Sequence, residues 1–395
     1  MRKCARNFAQ DSNESIKRSK YNHSIEIYNS NDFQHDFTDL ATFYPPFAQQ
    51  LKQLKSRRKI DIQRSTKSNL RGGDLFSCFG TYVTFDFNVE LTRAILLKDH
   101  GLVLPSMPNN RLCPPVPNRL NYVRWIKDLV LGNICNIASQ EKRLHFQGMD
   151  IGTGSSCIYP LLLSSVFSKQ SDKWRFFATE VDPISLKSAQ SNVDANHLQD
   201  CITVALVKQT EDIFNVEAKK SAKLDSSTFQ PSQCVYGPLQ NSLLAALSIK
   251  KEKNTIESQQ FDFCMTNPPF YATIAQCQTP RVGDFRDRTA MTLSESFYPR
   301  GGETAFITDI IHDSLQTRQQ ITWYTSLIGQ KSTLHHVERI LLDLGFGRGS
   351  IATAEFVQGG RGSQRRWGIA WTFMQVPMRN PGNVFTFDFF CLTTY

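Results

Sequence analysis

The 395-residue chain is 40% hydrophobic, 11% aromatic and 21% charged, a composition that excludes a disordered or collagen-like polymer. Its longest apolar run, about eight residues around 157–163, is far shorter than the roughly 20 needed to cross a bilayer, so no membrane partner is expected. The 45 basic and 36 acidic residues leave a formal charge of +9, which suits a solvated basic surface and a polyanion partner equally well.

Residues 1 to about 30 are polar, without apolar periodicity, and read as a tail without fixed structure. Nothing in Met1-Arg2-Lys3-Cys4-Ala5-Arg6 or after it supplies the apolar core of a secretory signal. Gln50 to Gly73 carries eight Lys or Arg against one Asp and reads as a basic loop or linker. Residues 1–84 are therefore expected to form an N-terminal extension, with the main domain running over 85–395. From Leu144 the patterns alternate. Strands are expected at Leu144–Ile151, Trp174–Val181, Ile202–Val207 and Phe261–Met265. Helical spacing covers Ser156–Ser165 and Pro183–Asn196, the second with an Asp cap and a proline in its first turn. Residues 214–260 are polar and read as a surface insertion between two strands. Ala305–Ser314 and Leu334–Leu344 have helical spacing, and Thr322–Ile328 is extended. Ile351–Phe356 and Trp367–Met374 flank a Gly/Arg turn and suggest a closing hairpin. Such alternation predicts an α/β, doubly wound, mostly parallel sheet with an antiparallel end, binding ligands outside the carboxyl ends of its strands.

Ten cysteines are present, none closer to another than Cys264 is to Cys277. No CxxC pair and no HxxxH pair exists to seed a metal site, and the usage fits a reducing compartment, cytosol or nucleus. Trp323, Trp367 and Trp371 are expected in the core.

Three motifs fall at predicted strand ends. In Asp150-Ile151-Gly152-Thr153-Gly154, glycines after a strand admit a cofactor to the backbone. The pattern is GxG without a third glycine, which disfavours nicotinamide-type dinucleotides, and an ordinary tight turn is the alternative. Glu180 ends the next strand, where a carboxylate can accept bonds from two ribose hydroxyls, while Thr179 and Asp182 can instead cap the following helix. The strongest signal is Asn267-Pro268-Pro269-Phe270. Paired prolines stiffen the backbone and present the preceding Asn at the rim. An amine attacking a sulfonium methyl must free its lone pair from conjugation. The Asn267 oxygen and Pro268 carbonyl can take the two amine hydrogens, and Phe270 offers a face to a flipped base. Just beyond, Arg281, Arg286 and Arg288 can grip phosphates, or pair with Asp284 and Asp287 on a solvated loop.

Together these motifs resemble the eukaryotic U6 small nuclear RNA adenine-N(6) methyltransferase family, which has a bacterial relative acting on 23S ribosomal RNA. Arg119-Leu120-Asn121-Tyr122, Ile311-His312-Asp313-Ser314-Leu315, Glu355-Phe356-Val357-Gln358-Gly359 and Arg366-Trp367 extend the likeness, as does the segment 36–47. The resemblance implies a Rossmann-like class I fold with a seven-stranded sheet and S-adenosyl-L-methionine as methyl donor. The acceptor is an adenosine of RNA, U6 before ribosomal RNA. It implies that Arg119, Gly152, Glu180, Thr210 and Asn267 contact the cofactor, Arg119 through its carboxylate, and that Asn267, Pro268, Pro269 and Phe270 hold the target base. A nuclear, monomeric enzyme follows. Protein glutamine methyltransferases, which also use Asn-Pro-Pro before an aromatic, are the competing class.

Overall fold

The computed structural model describes residues 26–29, 35–58, 84–136, 145–167, 173–207, 237–252, 260–278, 293–298, 301–358 and 364–374. Ahead of the first motif come strand β1 (Glu26–Asn29) and helices α1 (Phe37–Phe43), α2 (Pro45–Arg58), α3 (Phe85–His100) and α4 (Val116–Asn136). Next are β2 (His145–Ile151), α5 (Ile158–Phe167), β3 (Lys173–Glu180), α6 (Pro183–Ala195) and β4 (Ile202–Leu206). The second half holds α7 (Pro238–Glu252), β5 (Phe261–Thr266), α8 (Gly302–Thr317), β6 (Ile321–Ile328), α9 (Lys331–Asp343), β7 (Ile351–Gln358) and β8 (Gln364–Trp371).

The strands form one sheet in the order β1-β7-β8-β6-β5-β2-β3-β4. All neighbours are parallel except those of β8, which runs antiparallel to both β6 and β7. Helices cover both faces, so the central strands are apolar throughout: β5, FDFCMT, is buried at every position, as two-sided parallel strands are. On one side Leu120, Trp125, Leu161 and Ala189 from α4, α5 and α6 meet Phe146, Phe263 and Trp323. On the other, Leu243, Ile310 and Leu341 from α7, α8 and α9 meet Met149, Cys264 and Trp371. Trp323, Trp367 and Trp371 are all buried.

Three expectations change. The sheet has eight strands rather than seven, because β1 pairs in parallel with β7 at its edge. Its sequence, EIYN, is too short and polar to show a pattern. It is held by Tyr28, whose ring meets Phe356 edge-on with centroids 6.0 Å apart and whose hydroxyl donates to Asp128 at 2.7 Å. Second, the first part of the basic stretch, 50–58, is not a linker but the end of α2. Phe47, Leu51 and Leu54 are buried at helical spacing while Lys52 and Lys55 face solvent, the two faces of an amphipathic helix. That apolar face packs with α1 and α3 through Phe37, Phe47 and Phe87, whose rings lie 5.3–6.4 Å apart. Third, the polar stretch 214–260 contains α7, which buries Leu239, Leu243 and Ala246 on the sheet. Its first turn is capped by Asp313 of α8, which accepts from the Leu239 and Gln240 N–H groups at 3.1 Å each. The α3 and α4 helices also fall where the sequence reading places no element. Thr84 caps α3 by accepting from the Phe87 N–H at 3.2 Å, and Gly101 closes it in the left-handed conformation, both standard helix signals.

Candidate active site

Chain order reverses at β2: β3 and β4 build outward on one side, β5 and β6 on the other. This is the switch point at which open α/β sheets bind ligands. Register brings the three motifs there. Ile151 pairs with Thr179 of β3 and with Thr266 of β5, and the Thr266 hydroxyl donates to the Ile151 carbonyl at 2.8 Å. Gly152, Glu180 and Asn267 therefore leave three adjacent strands one residue beyond the same rung.

The glycine turn is built for backbone access. Gly152 and Gly154 have φ of +73° and +67°, a region that L side chains adopt at a cost, and a Cβ on either would meet nothing within 4 Å. The N–H groups of Gly152 and Thr153 donate to the Thr179 carbonyl at 3.0 and 2.9 Å, pinning the turn to β3.

Glu180 is only 4% exposed. It accepts from the Gly154 N–H at 2.8 Å and from the Val181 and Asp182 N–H groups at 2.8 and 3.0 Å. Burial pushes its carboxyl above the usual range, against the pull of those three donors. The carboxylate thus ties the end of β3 to the glycine turn. A carboxylate has about four lone-pair sites, so three donors leave it able to accept a hydroxyl. Asp182, by contrast, is structural. It caps α6 through the Ile184 and Ser185 N–H groups and pairs with the buried Arg111. Thr179 does not cap; its hydroxyl is buried against that of Ser242 at 2.9 Å.

Buried oxygens gather around the rim: the Asp150 carboxylate with the Thr153 hydroxyl beside it, and the Asn267 Oδ1, which has no hydrogen-bond partner. Buried polar atoms are rarely left unpaired in native proteins, so the Asn267 oxygen marks a place where a ligand completes the bonding. Asp150, 1% exposed, is pushed up to about 7 by burial, with the Glu180 charge adding to it and Thr153 and Arg119 only partly offsetting it. Arg119, on α4, donates to the Tyr159 hydroxyl at 3.1 Å and lies over that ring, 5.6 Å from its centroid. One partly exposed cation and one buried carboxylate thus flank the turn, a fit for a zwitterionic amino acid group such as that of S-adenosyl-L-methionine.

On β5's side, Pro268 is buried while Asn267, Pro269 and Phe270 are partly exposed at the rim. The chain after them is stapled: Tyr271 N–H donates to the Ser296 carbonyl at 2.9 Å and Tyr298 N–H to the Tyr271 carbonyl at 3.0 Å. Gly302, at φ +61°, leaves no room beside this segment, since a Cβ there would lie 2.7 Å from the Tyr271 carbonyl carbon. The Arg366 guanidinium sits over the Phe270 ring at 5.8 Å from its centroid. A cleft of about 490 Å³ opens beside Phe270, walled also by Gln276, Glu303, Thr304 and Thr333. The glycine turn does not line it.

The structure places Gly152, Glu180 and Asn267 at adjacent strand ends, with Pro268, Pro269 and Phe270 following Asn267 and Arg119 on α4 beside Tyr159. Thr210, Arg281, Arg286 and Arg288 lie outside the described residues. Among the described residues no cluster of His, Cys, Asp and Glu could hold a metal ion, and no helix is long and apolar enough to cross a membrane. The sequence reading misses Glu303 and the Gly301-Gly302 pair before it, although two glycines ahead of a helix are a visible signal for a close backbone approach.

A family model described as "RNA methyltransferase" matches residues 86–255 and 249–375. The RNA N(6)-adenosine-methyltransferase METTL16 of Gallus gallus is 34% identical over 351 residues, 87% of this chain and 50% of the relative. A U6 small nuclear RNA (adenine-(43)-N(6))-methyltransferase of Drosophila melanogaster is 27% identical, over 88% of this chain and 92% of the relative. The chain spans about half the length of the vertebrate relatives it matches. Among solved structures, the catalytic domain of hMettl16 in complex with MAT2A 3′UTR hairpin 1 matches with a TM-score of 0.58 and 28% identity, over 87% of this chain and 94% of that one. The N-terminal domain of human METTL16 in complex with SAH matches at a TM-score of 0.54 and 29% identity, over 86% and 95%. The matched segments cover the whole of the sheet except β1 and include every strand end that carries a motif; the chain belongs to this RNA methyltransferase family.

Proposed function

We propose that this protein is an S-adenosyl-L-methionine-dependent RNA methyltransferase that forms N(6)-methyladenosine, with U6 small nuclear RNA as its substrate. The observation that carries the reading is the adjacency of Gly152 and Asn267 beyond one rung of the sheet, with a buried, unpartnered amide oxygen on Asn267. The names of the relatives support the RNA, the adenine and U6, and a nuclear site of action follows from that substrate. The SAH and hairpin complexes of the related domain support the donor and the acceptor class.

The bound cofactor would supply an electrophilic methyl on a sulfonium centre. The chain's residues divide the rest. Gly152 and Gly154 leave space at the turn, Asp150 and Arg119 answer the ammonium and the carboxylate, and Glu180 accepts from the ribose. Asn267 Oδ1 and the Pro268 carbonyl accept the two hydrogens of the adenine amine, drawing its lone pair out of the ring and toward the methyl carbon. Phe270 stacks the base, a contact worth about 1–3 kcal/mol in comparable sites. Arg281, Arg286 and Arg288 hold phosphates, so RNA binding falls steeply with salt.

The test incubates the purified chain and labelled cofactor with U6 transcript, ribosomal RNA fragments and glutamine-containing peptides, followed by mass spectrometry of nucleosides and peptides. N(6)-methyladenosine in U6 is the expected product. Methylation of peptide glutamine alone would refute the reading, and preference for ribosomal RNA would refute its substrate.

A further inference from the structure

Register fixes where the glycine turn and the Asn267 segment leave the sheet, but the loops that complete the two sides of the site are held separately. On the cofactor side, the stretch 101–115 is tied to α6. Asn192 accepts from the Ser106 N–H at 2.9 Å, and it donates to the Ser106 and Ser155 carbonyls at 2.9 and 3.1 Å. Ser155 directly follows Gly154 of the turn. Arg111, 3% exposed, donates through Nε to Asp182 and Ser185 at 2.8 Å each. On the acceptor side, Ser296 and Tyr298 staple Tyr271, the neighbour of Phe270, by the two backbone hydrogen bonds already described.

Glu295 joins these two units. Its Oε1 and Oε2 share the Leu112 N–H, at 3.4 and 3.3 Å, across 183 positions of sequence. Each end of the bridge is one residue from an anchor. Leu112 follows Arg111, and Glu295 precedes Ser296, whose carbonyl accepts the Tyr271 N–H. The chain beyond Leu112 is stiff, since Pro114, Pro115 and Pro117 have fixed φ angles, and the Thr92 hydroxyl donates to the Pro114 carbonyl at 3.0 Å. It leads straight into α4, which begins at Val116 and carries Arg119 in its first turn.

Direct displacement is sensitive to the distance between the two sides. One sulfur–carbon bond breaks as the nitrogen–carbon bond forms, and the amine proton leaves to solvent afterwards. The reacting atoms must therefore approach to ~3–3.5 Å, and a misplacement of about 1 Å can cost on the order of 10²-fold. We propose that Glu295 is a positioning residue for methyl transfer: through the Leu112 N–H it clamps the cofactor-side loop to the segment behind Phe270, and it acts on the transfer step rather than on the binding of either partner. The inference rests on the reading of the protein as an RNA adenosine methyltransferase.

The experiment compares E295A and E295Q with the parent protein in three measurements: single-turnover methyl transfer to U6 transcript, calorimetric binding of S-adenosyl-L-methionine and of the RNA, and hydrogen exchange of the Leu112 amide. E295A should slow transfer by about 10–10²-fold while each affinity stays within about threefold, and its Leu112 amide should lose protection. E295Q should restore both rate and protection, because an amide oxygen accepts an N–H as a carboxylate oxygen does. An E295Q protein as slow as E295A overturns the proposal, since the effect would then belong to the charge. Affinity losses as large as the loss of rate overturn it, as does an E295A protein that transfers at the parental rate. In each of these cases a parent that methylates RNA leaves the proposed function standing. A parent that methylates no RNA adenosine overturns both.

Discussion

Replacing Asp150 by Asn should make the cofactor-free protein more stable at pH 8 and leave it almost unchanged near pH 4. Asp150 is buried, the Thr153 hydroxyl and the Arg119 charge only partly stabilise its charged form, and burial lifts it from 3.8 to about 7. The folded state therefore binds its proton more tightly than the unfolded chain does. Where the folded state holds more protons, stability falls as pH rises. The contribution is thus intact below the unfolded value near 4 and is lost as pH climbs through about 7. At about 1.4 kcal/mol per tenfold change in proton concentration, lifting the group from 3.8 to about 7 corresponds to about 4 kcal/mol at full ionisation. Asn has the same shape and no charge to bury, so Asp150→Asn removes this slope. Urea unfolding of parent and variant at pH 4.5, 6 and 8 isolates it from Glu180, Glu303 and Asp313, which burial also raises and which are common to both proteins. The expected advantage of the variant grows from about 1 kcal/mol to about 4 kcal/mol across that range. A difference that stays constant with pH would show that Asp150 is satisfied in the folded protein and would remove the argument that it awaits a cation. The same variant should bind S-adenosyl-L-methionine at least tenfold more weakly by calorimetry at pH 8, the size of one hydrogen bond to a charged group.

Glu180→Ala should weaken cofactor binding more than RNA binding, since its carboxylate is tied to the glycine turn by the Gly154 N–H; equal losses in calorimetry and in RNA titration would count against a ribose contact. Gly302→Ala should cost about 2–4 kcal/mol in urea unfolding, combining a strained backbone with overpacking, because its Cβ would lie 2.7 Å from the Tyr271 carbonyl carbon at φ +61°. A Gly302→Ala protein of parental stability would mean that the segment after Phe270 is looser than described.

Where the sheet lies and which strand ends carry the motifs were legible because parallel strands announce themselves. Phe261–Thr266 is apolar without alternation, and Asp150–Gly154, Glu180 and Asn267–Phe270 each stand at the end of such a run. Their convergence follows from register, since Ile151 is paired on both sides at the last rung. What stayed hidden has local causes. The strand β1 takes its stability from Phe356 and Asp128, far away in sequence. In α2 and α7 the charged faces dominate composition, and only the spacing of Leu51 with Leu54, or of Leu239 with Leu243 and Ala246, shows the buried side. Glu303 is a single acid in a helix start, and its meaning appears only when Gly329 and Phe270 are placed beside it.

The central claim is that Asn267 presents a neutral amide acceptor to the reacting amine. Single-turnover methyl transfer to U6 transcript by Asn267→Ala, beside calorimetric binding of the cofactor to the same protein, tests it most directly. Transfer should fall by about 10²–10³, the loss seen when one preorganised polar group is removed from a transition state, with cofactor affinity changed less than about fivefold. Near-parental transfer by the variant would contradict the account.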